Sequence, residues 1–155
     1  MKIRSIFSKT NIIDSTKRGV VLVGGCFDIL HFGHISFLKH AKSYGNYLIV
    51  ALESDENVRK TKGASRPIHT QQQRKEMLEA LSFVDEIILL PPMHRSEEYL
   101  ALIKQIKPDI IAVTRGDPLT ERKKAQAIQV GATIASIEKV HTPSTSQLAK
   151  LLGLE

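Results

Sequence analysis

The sequence predicts an α/β fold in which helices cover both faces of a parallel sheet, and three observations carry that expectation. Short apolar runs of β-forming residues alternate with amphipathic, capped segments five times along the 155 residues. The apolar runs are continuous rather than alternating, the pattern of strands buried on both faces. Residues able to do chemistry stand at the carboxyl ends of those runs or at the helix starts that follow, where open α/β sheets bind ligands. With no internal repeat, low-complexity tract or linker, residues 18–155 are expected to form one domain, preceded by a polar N-terminal arm over 1–17.

Arg18-Gly19-Val20-Val21-Leu22-Val23 forms the first strand, closed by Gly24 and Gly25. From His34, the apolar residues Ile35, Phe37, Leu38 and Ala41 recur at helical spacing up to Gly45, so a helix begins near Gly33 or His34. Its first amides lack intrahelical partners and its dipole is positive there, which suits a phosphate. Gly24 and Gly25 would let the backbone approach that anion without a clashing Cβ. In this turn His31-Phe32-Gly33-His34 sets one imidazole just before the helix and one in its first turn, with a glycine keeping the space between them open. Cys26 has no base assigned to it by the sequence and is expected to lend its backbone amide rather than act as a nucleophile.

Tyr47–Leu52 is the second strand, with Glu53-Ser54-Asp55 at its end. Asn57 to Pro67 is too polar and basic for a core and is expected to be a mobile loop. Thr70-Gln71-Gln72-Gln73 is a capping box opening a helix with Met77, Leu78 and Leu81 inward. Arg74 in its first turn opposes the helix dipole, which calls for a nearby anion, either a phosphate or a surface ion pair. Val84–Leu90 is the third strand, and Ser96-Glu97-Glu98 starts a helix ending before Pro108. Asp109–Thr114 is the fourth strand, followed by Arg115-Gly116-Asp117-Pro118, in which Asp117 suits an N-cap and Pro118 a first helical residue. Thr133–Ile137 closes the sheet, and Ser144 with Gln147 forms a second capping box on a last helix ending near Gly153.

Composition narrows the function. The net charge is +6, but the basic residues are scattered and aromatics make up only 5%, so anionic small substrates account for the charge and a nucleic-acid partner is not expected. A single cysteine excludes an intramolecular disulfide. The N-terminus lacks the continuous apolar stretch of a signal peptide or membrane span, so a cytoplasmic protein without membrane contact is expected.

The segment Gly25-Cys26-Phe27-Asp28-Ile29-Leu30-His31-Phe32-Gly33-His34 closely resembles the signature of the cytidylyltransferase-like nucleotidylyltransferases, and the resemblance extends from Val20 to Leu152. It implies a Rossmann-like three-layer sandwich on a five-stranded parallel sheet. It also implies transfer of a nucleoside monophosphate from ATP or CTP to a phosphorylated small molecule, with release of pyrophosphate. Mg²⁺ would be brought with the nucleotide, and no protein metal site is expected. By this match His31 and His34 contact the nucleotide phosphates and stabilise charge building on them. Lys60 and Lys62 fall where similar enzymes reach the triphosphate with lysine, and Lys62 joins the histidines in the expected catalytic set. The nucleotide-binding set implied is Gly25, Cys26, Phe27, Asp28, Lys60, Arg74, Gly116, Asp117, Ser144, Thr145 and Ser146. Several relatives carry an arginine just before the Ser-Thr pair where this chain has His141-Thr142-Pro143. Either the grip on the triphosphate differs or His141 substitutes in part.

The wording Gly25 to His31, with Lys62-Gly63 and Arg66-Pro67, most resembles nucleotidyltransferase domains that make ADP-heptose, which favours ATP and heptose 1-phosphate. A glycerol-3-phosphate cytidylyltransferase is the alternative, with flavin and pantetheine-phosphate adenylyltransferases behind it. A non-catalytic nucleotide-binding regulatory module is the alternative of another class, and the intact H-x-G-H stands against it. Relatives are often dimers, so a homodimer is implied by resemblance alone.

Overall fold

Strand β1 (Val20–Gly25) is the centre of the sheet. It pairs in parallel with β2 (Tyr47–Leu52) along its whole length, from Val20 opposite Tyr47 to Gly25 opposite Leu52. On its other side it pairs with β4 (Ile110–Thr114) through Val21 and Leu22. Outside these lie β3 (Glu86–Leu89) and β5 (Thr133–Ile137), giving the all-parallel order β3-β2-β1-β4-β5. The computed structural model describes residues 19–154; the expected arm over 1–17, with Arg18, lies outside them. The α/β three-layer architecture expected from the alternation of elements is the one observed, and among the described residues no helix is long and apolar enough to cross a membrane.

Because successive strand residues point to opposite faces, the continuous apolar strands feed two core layers at once. Val21 and Val23 pack with Leu38 and Ala41 of α1 (Phe32–Ser43) and Leu78 of α3 (Gln71–Glu79). Val20 and Leu22 pack with Leu102, Ile103 and Ile106 of α4 (Ser96–Ile106) and Ala127 of α5 (Thr120–Val130). A last helix, α6 (Thr145–Leu151), is started by the Ser144/Gln147 capping box, and α3 by the Thr70/Gln73 box.

Four local expectations change. Residues 57–67 are not a mobile loop throughout: α2 (Asp55–Lys62) occupies their first half. Its N-cap Ser54 accepts from Asn57 N, acidic Asp55 and Glu56 stand in its first turn, and Arg59, Lys60 and Lys62 stand in its last. Asn57, buried, anchors it by donating to Met93 O at 2.9 Å and Glu53 Oε2 at 3.1 Å. The third strand is shorter than expected because Asp85 is used otherwise, accepting from Leu48 N at 2.7 Å and pairing with Lys42. Pro118 is not the first residue of α5. Asp117 instead holds a turn by accepting from Leu119 N at 2.8 Å, and the helix starts at Thr120. Gly45 follows α1 for a reason of packing, since a Cβ there would lie 2.1 Å from Gly19 O.

Candidate active site

The turn leaving β1 has an unusual backbone. Phe27 (φ 46°) and Ile29 (φ 55°) both occupy the left-handed region, which side chains with a Cβ rarely adopt and β-branched ones least of all. Burial of the Phe27 ring holds the first of these in place. Gly25 makes room for that ring, because a Cβ would lie 2.8 Å from it, so its lack of a side chain serves Phe27 before it serves any anion. Between the two, Asp28 turns inward and is fully buried. Its carboxylate accepts from Arg66 Nε at 2.8 Å, Ile68 N at 2.7 Å and His69 N at 3.0 Å. Burial alone would raise its pKa, but these donors and the Arg66 charge together hold it below the usual carboxylate range.

His31 is the N-cap of α1. Its Nδ1 accepts from Gly33 N at 3.0 Å, which leaves the proton of the neutral ring on Nε2. The ring lies over Gly33, where a Cβ would meet His31 Cε1 at 2.8 Å, so the glycine between the histidines is a steric requirement. His34 stacks on His31 with centroids 3.9 Å apart and 29° between planes, and Phe27 meets His34 edge-on at 5.4 Å. Burial, reinforced by His31 alongside, pushes His34 down to about 4, and burial lowers His31 too. Both rings are therefore neutral at pH 7, and the buried Nδ1 of His34 has no partner within the protein.

The two rings open onto a cleft of about 560 Å³ between the carboxyl ends of β1 and β4, where the strand order reverses. The fold brings together there twelve of the expected residues: Gly25, Cys26, Phe27, Asp28, His31, His34, Lys62, Gly116, Asp117, Ser144, Thr145 and Ser146. Asp117 is held by Lys123 Nζ at 2.6 Å; burial pushes its carboxyl up, but that lysine and Leu119 N bring it below the usual range. Burial raises the Cys26 thiol pKa, which disfavours the nucleophilic thiolate.

Two expected residues stay outside the cleft, and a third lies in it without a free group. Lys60 pairs with Glu56 at 2.8 Å and with His94 Nδ1 at 3.0 Å. Two residues apart on one helix, Lys60 and Lys62 cannot face the same way, and it is Lys62 that borders the cleft. Arg74 is neither a phosphate ligand nor a surface ion pair. It is fully buried and donates to Cys26 O at 2.6 Å, Glu53 O at 2.9 Å, His69 O at 3.1 Å and Asp55 Oδ1 at 2.8 Å. Its long side chain reaches away from its own helix start to carbonyls of two strand ends. Asp28 borders the cleft, but its oxygens are taken by Arg66 and two amides rather than offered to a nucleotide.

Arg66, Lys123, Lys139 and Thr142 line the cleft without having been assigned to the site, and His141 does not line it. Arg66-Pro67 entered only as part of the resemblance, and nothing near Arg66 in the chain points to its partner Asp28. Thr142 packs its methyl near Gly33, a contact between distant segments that no local pattern signals. Among the described residues no group of three His, Cys, Asp or Glu could hold a metal ion.

The family model described as cytidylyltransferase-like matches residues 22–146, from β1 to the first turn of α6, and so takes in every segment of the cleft. The chain belongs to the cytidylyltransferase-like family. Among the relatives of this cytidylyltransferase-like chain is the FAD synthase of Pyrococcus abyssi, 38% identical over 135 residues, which cover 85% of this chain and 88% of that protein. The bifunctional protein HldE of Campylobacter fetus is 43% identical over 111 residues, 72% of this chain. The match spans 23% of that HldE, so the chain corresponds to about a quarter of the bifunctional relatives. A lipopolysaccharide core biosynthesis protein from Thermoplasma volcanium superposes with a TM-score of 0.64 at 26% identity, covering 80% of this chain and 98% of its own. A pantoate-β-alanine ligase from Francisella tularensis shares the fold alone, with a TM-score of 0.62 at 17% identity over 85% of this chain and 63% of its own.

Proposed function

We propose that this cytidylyltransferase-like nucleotidyltransferase moves an adenylyl group from ATP to a phosphorylated sugar, heptose 1-phosphate being the favoured acceptor, and releases pyrophosphate. The observation that carries the reading is the stacked, neutral His31–His34 pair at the start of α1, facing a cleft that Lys62 and the start of α6 also border. An acceptor phosphate oxygen attacks the α-phosphorus in line; the bond from that phosphorus to the bridging oxygen breaks, and its electron pair leaves with pyrophosphate. Mg²⁺ enters as part of the substrate, on the triphosphate oxygens.

Each group then has a task its geometry suits. His31, with its proton on Nε2, donates a neutral hydrogen bond without competing for Mg²⁺. His34 is held against it and kept neutral by burial, so it serves as a hydrogen-bond donor to phosphate oxygens as their charge grows. Lys62 supplies the mobile positive charge, and the amides at the start of α1 complete the cradle. Ser144, Thr145 and Ser146, which also line the cleft, offer hydroxyls. No step needs a protein nucleophile.

The match over 88% of an FAD synthase favours a second acceptor, flavin mononucleotide, with the same donor. Thermal stabilisation by MgATP and by MgCTP separates the donors, because a ligand that binds only the folded state raises Tm. Pyrophosphate release is then followed with heptose 1-phosphate, flavin mononucleotide and glycerol 3-phosphate. Stabilisation by MgATP and turnover with the heptose phosphate are expected. A response to MgCTP alone, with turnover of glycerol 3-phosphate, would overturn the adenylyl reading.

A further inference from the structure

A buried ion pair joins two segments that border the cleft. Asp28 is 1% exposed and Arg66 is 2% exposed, and they meet 2.8 Å apart. Asp28 stands three residues before His31 in the turn leaving β1, and Arg66 stands four residues beyond Lys62. The same carboxylate takes the amides of Ile68 and His69, while Arg66 N donates to Gly63 O at 3.1 Å and closes a turn directly behind Lys62. The chain from Gly63 to His69 is thereby tied to the turn that carries the histidines.

Stability alone is a weak reason for such a pair, since well-packed apolar residues often hold a fold as well as a buried ion pair does. What a guanidinium on a carboxylate adds is direction, because its fork fixes orientation as well as distance. Lys62 needs that direction. It ends α2, its side chain is exposed on a flexible stem, and it is followed by Gly63 (φ 108°), around which a Cβ would meet nothing within 4 Å. It lines the cleft together with Cys26 and His34, which places it on the cleft side of the helix end.

We propose that Arg66, acting through Asp28, is a positioning residue that sets where Lys62 stands over the His31–His34 pair when a nucleoside triphosphate binds. The inference rests on Lys62 being a phosphate-binding cation, as in the proposed function. Calorimetric titration with MgATP tests it on the wild type, Lys62→Ala, Arg66→Lys and the double variant. Lys62→Ala and Arg66→Lys are each expected to weaken binding about tenfold. The double variant is expected to bind no more weakly than Lys62→Ala, because the arginine acts through the lysine.

Independent effects that multiply to about a hundredfold would mean that Arg66 only supports the fold, and would overturn the inference. Unchanged affinity in Arg66→Lys would overturn it as well. Wild-type affinity in Lys62→Ala is a different result: it removes Lys62 from phosphate binding and takes the inference with it. If circular dichroism shows that Arg66→Lys does not fold, Asp28→Asn is carried through the same cycle under the same criteria.

Discussion

His31 has two separable tasks, since its Nδ1 caps α1 while its Nε2–H is free to serve the cleft. Asparagine can keep the first and not the second. His31→Asn is therefore expected to lower kcat about 10²–10³-fold, the loss typical of a charge-stabilising donor, while stability measured by urea unfolding stays within about 1 kcal/mol. Turnover within a few-fold of wild type would exclude the ring from the reaction. His34 makes a different prediction, because its folded pKa of about 4 lies below the ordinary value of 6.5. Between those values the unfolded chain binds a proton that the native state refuses. Stability is thus complete above about pH 7 and falls as pH drops toward 4, by roughly 3 kcal/mol in all. His34→Gln should flatten unfolding free energies measured between pH 7 and pH 4.5, and an unchanged slope would show that the ring is not buried as described.

Capping connects sequence to site at the level of elements. The Ser144/Gln147 box starts α6 and sets Ser144, Thr145 and Ser146 at the cleft. Ser144→Ala is expected to cost about 1 kcal/mol as a lost N-cap, read from Tm, and to weaken MgATP binding beyond what that loss explains. Unchanged affinity would leave Ser144 as a cap alone. Capping boxes are legible because both partners lie within four residues of each other. The α2 helix was not, although Ser54 caps it and its charges follow the dipole, because the basic run after Asn57 hides a face buried against Met93 and Tyr99. Arg74 shows the same limit: it braces Cys26 O and Glu53 O, 48 and 21 residues away, and nothing next to it in the chain announces those carbonyls.

The described residues build two apolar layers on opposite faces of one sheet, so melting either layer uncovers one face of β1 and loosens the strand whose other face the second layer packs on. Leu38→Ala in the α1 layer and Leu102→Ala in the α4 layer should each cost about 2–5 kcal/mol. Both should shift one common transition, followed by near-UV and far-UV circular dichroism. Two separated transitions would show that the layers are independent. The same topology makes the site, since reversal of strand order between β1 and β4 opens the crevice at their carboxyl ends.

By itself the sequence determined the parallel α/β class, the succession of the five strands and the place of the H-x-G-H turn. These depend on local pattern: unbroken apolar runs, helical spacing, caps and a glycine that no other residue could replace. Tertiary structure decided which candidates share the cleft and which hold the frame. Lys62 rather than Lys60 borders it, Arg74 is a brace, and Asp28 is occupied by Arg66, Ile68 and His69 from about 40 residues away. The reason is reach: a charged side chain's role depends on what stands within hydrogen-bond distance of its tip, and for these residues the partners come from distant segments that only folding brings near.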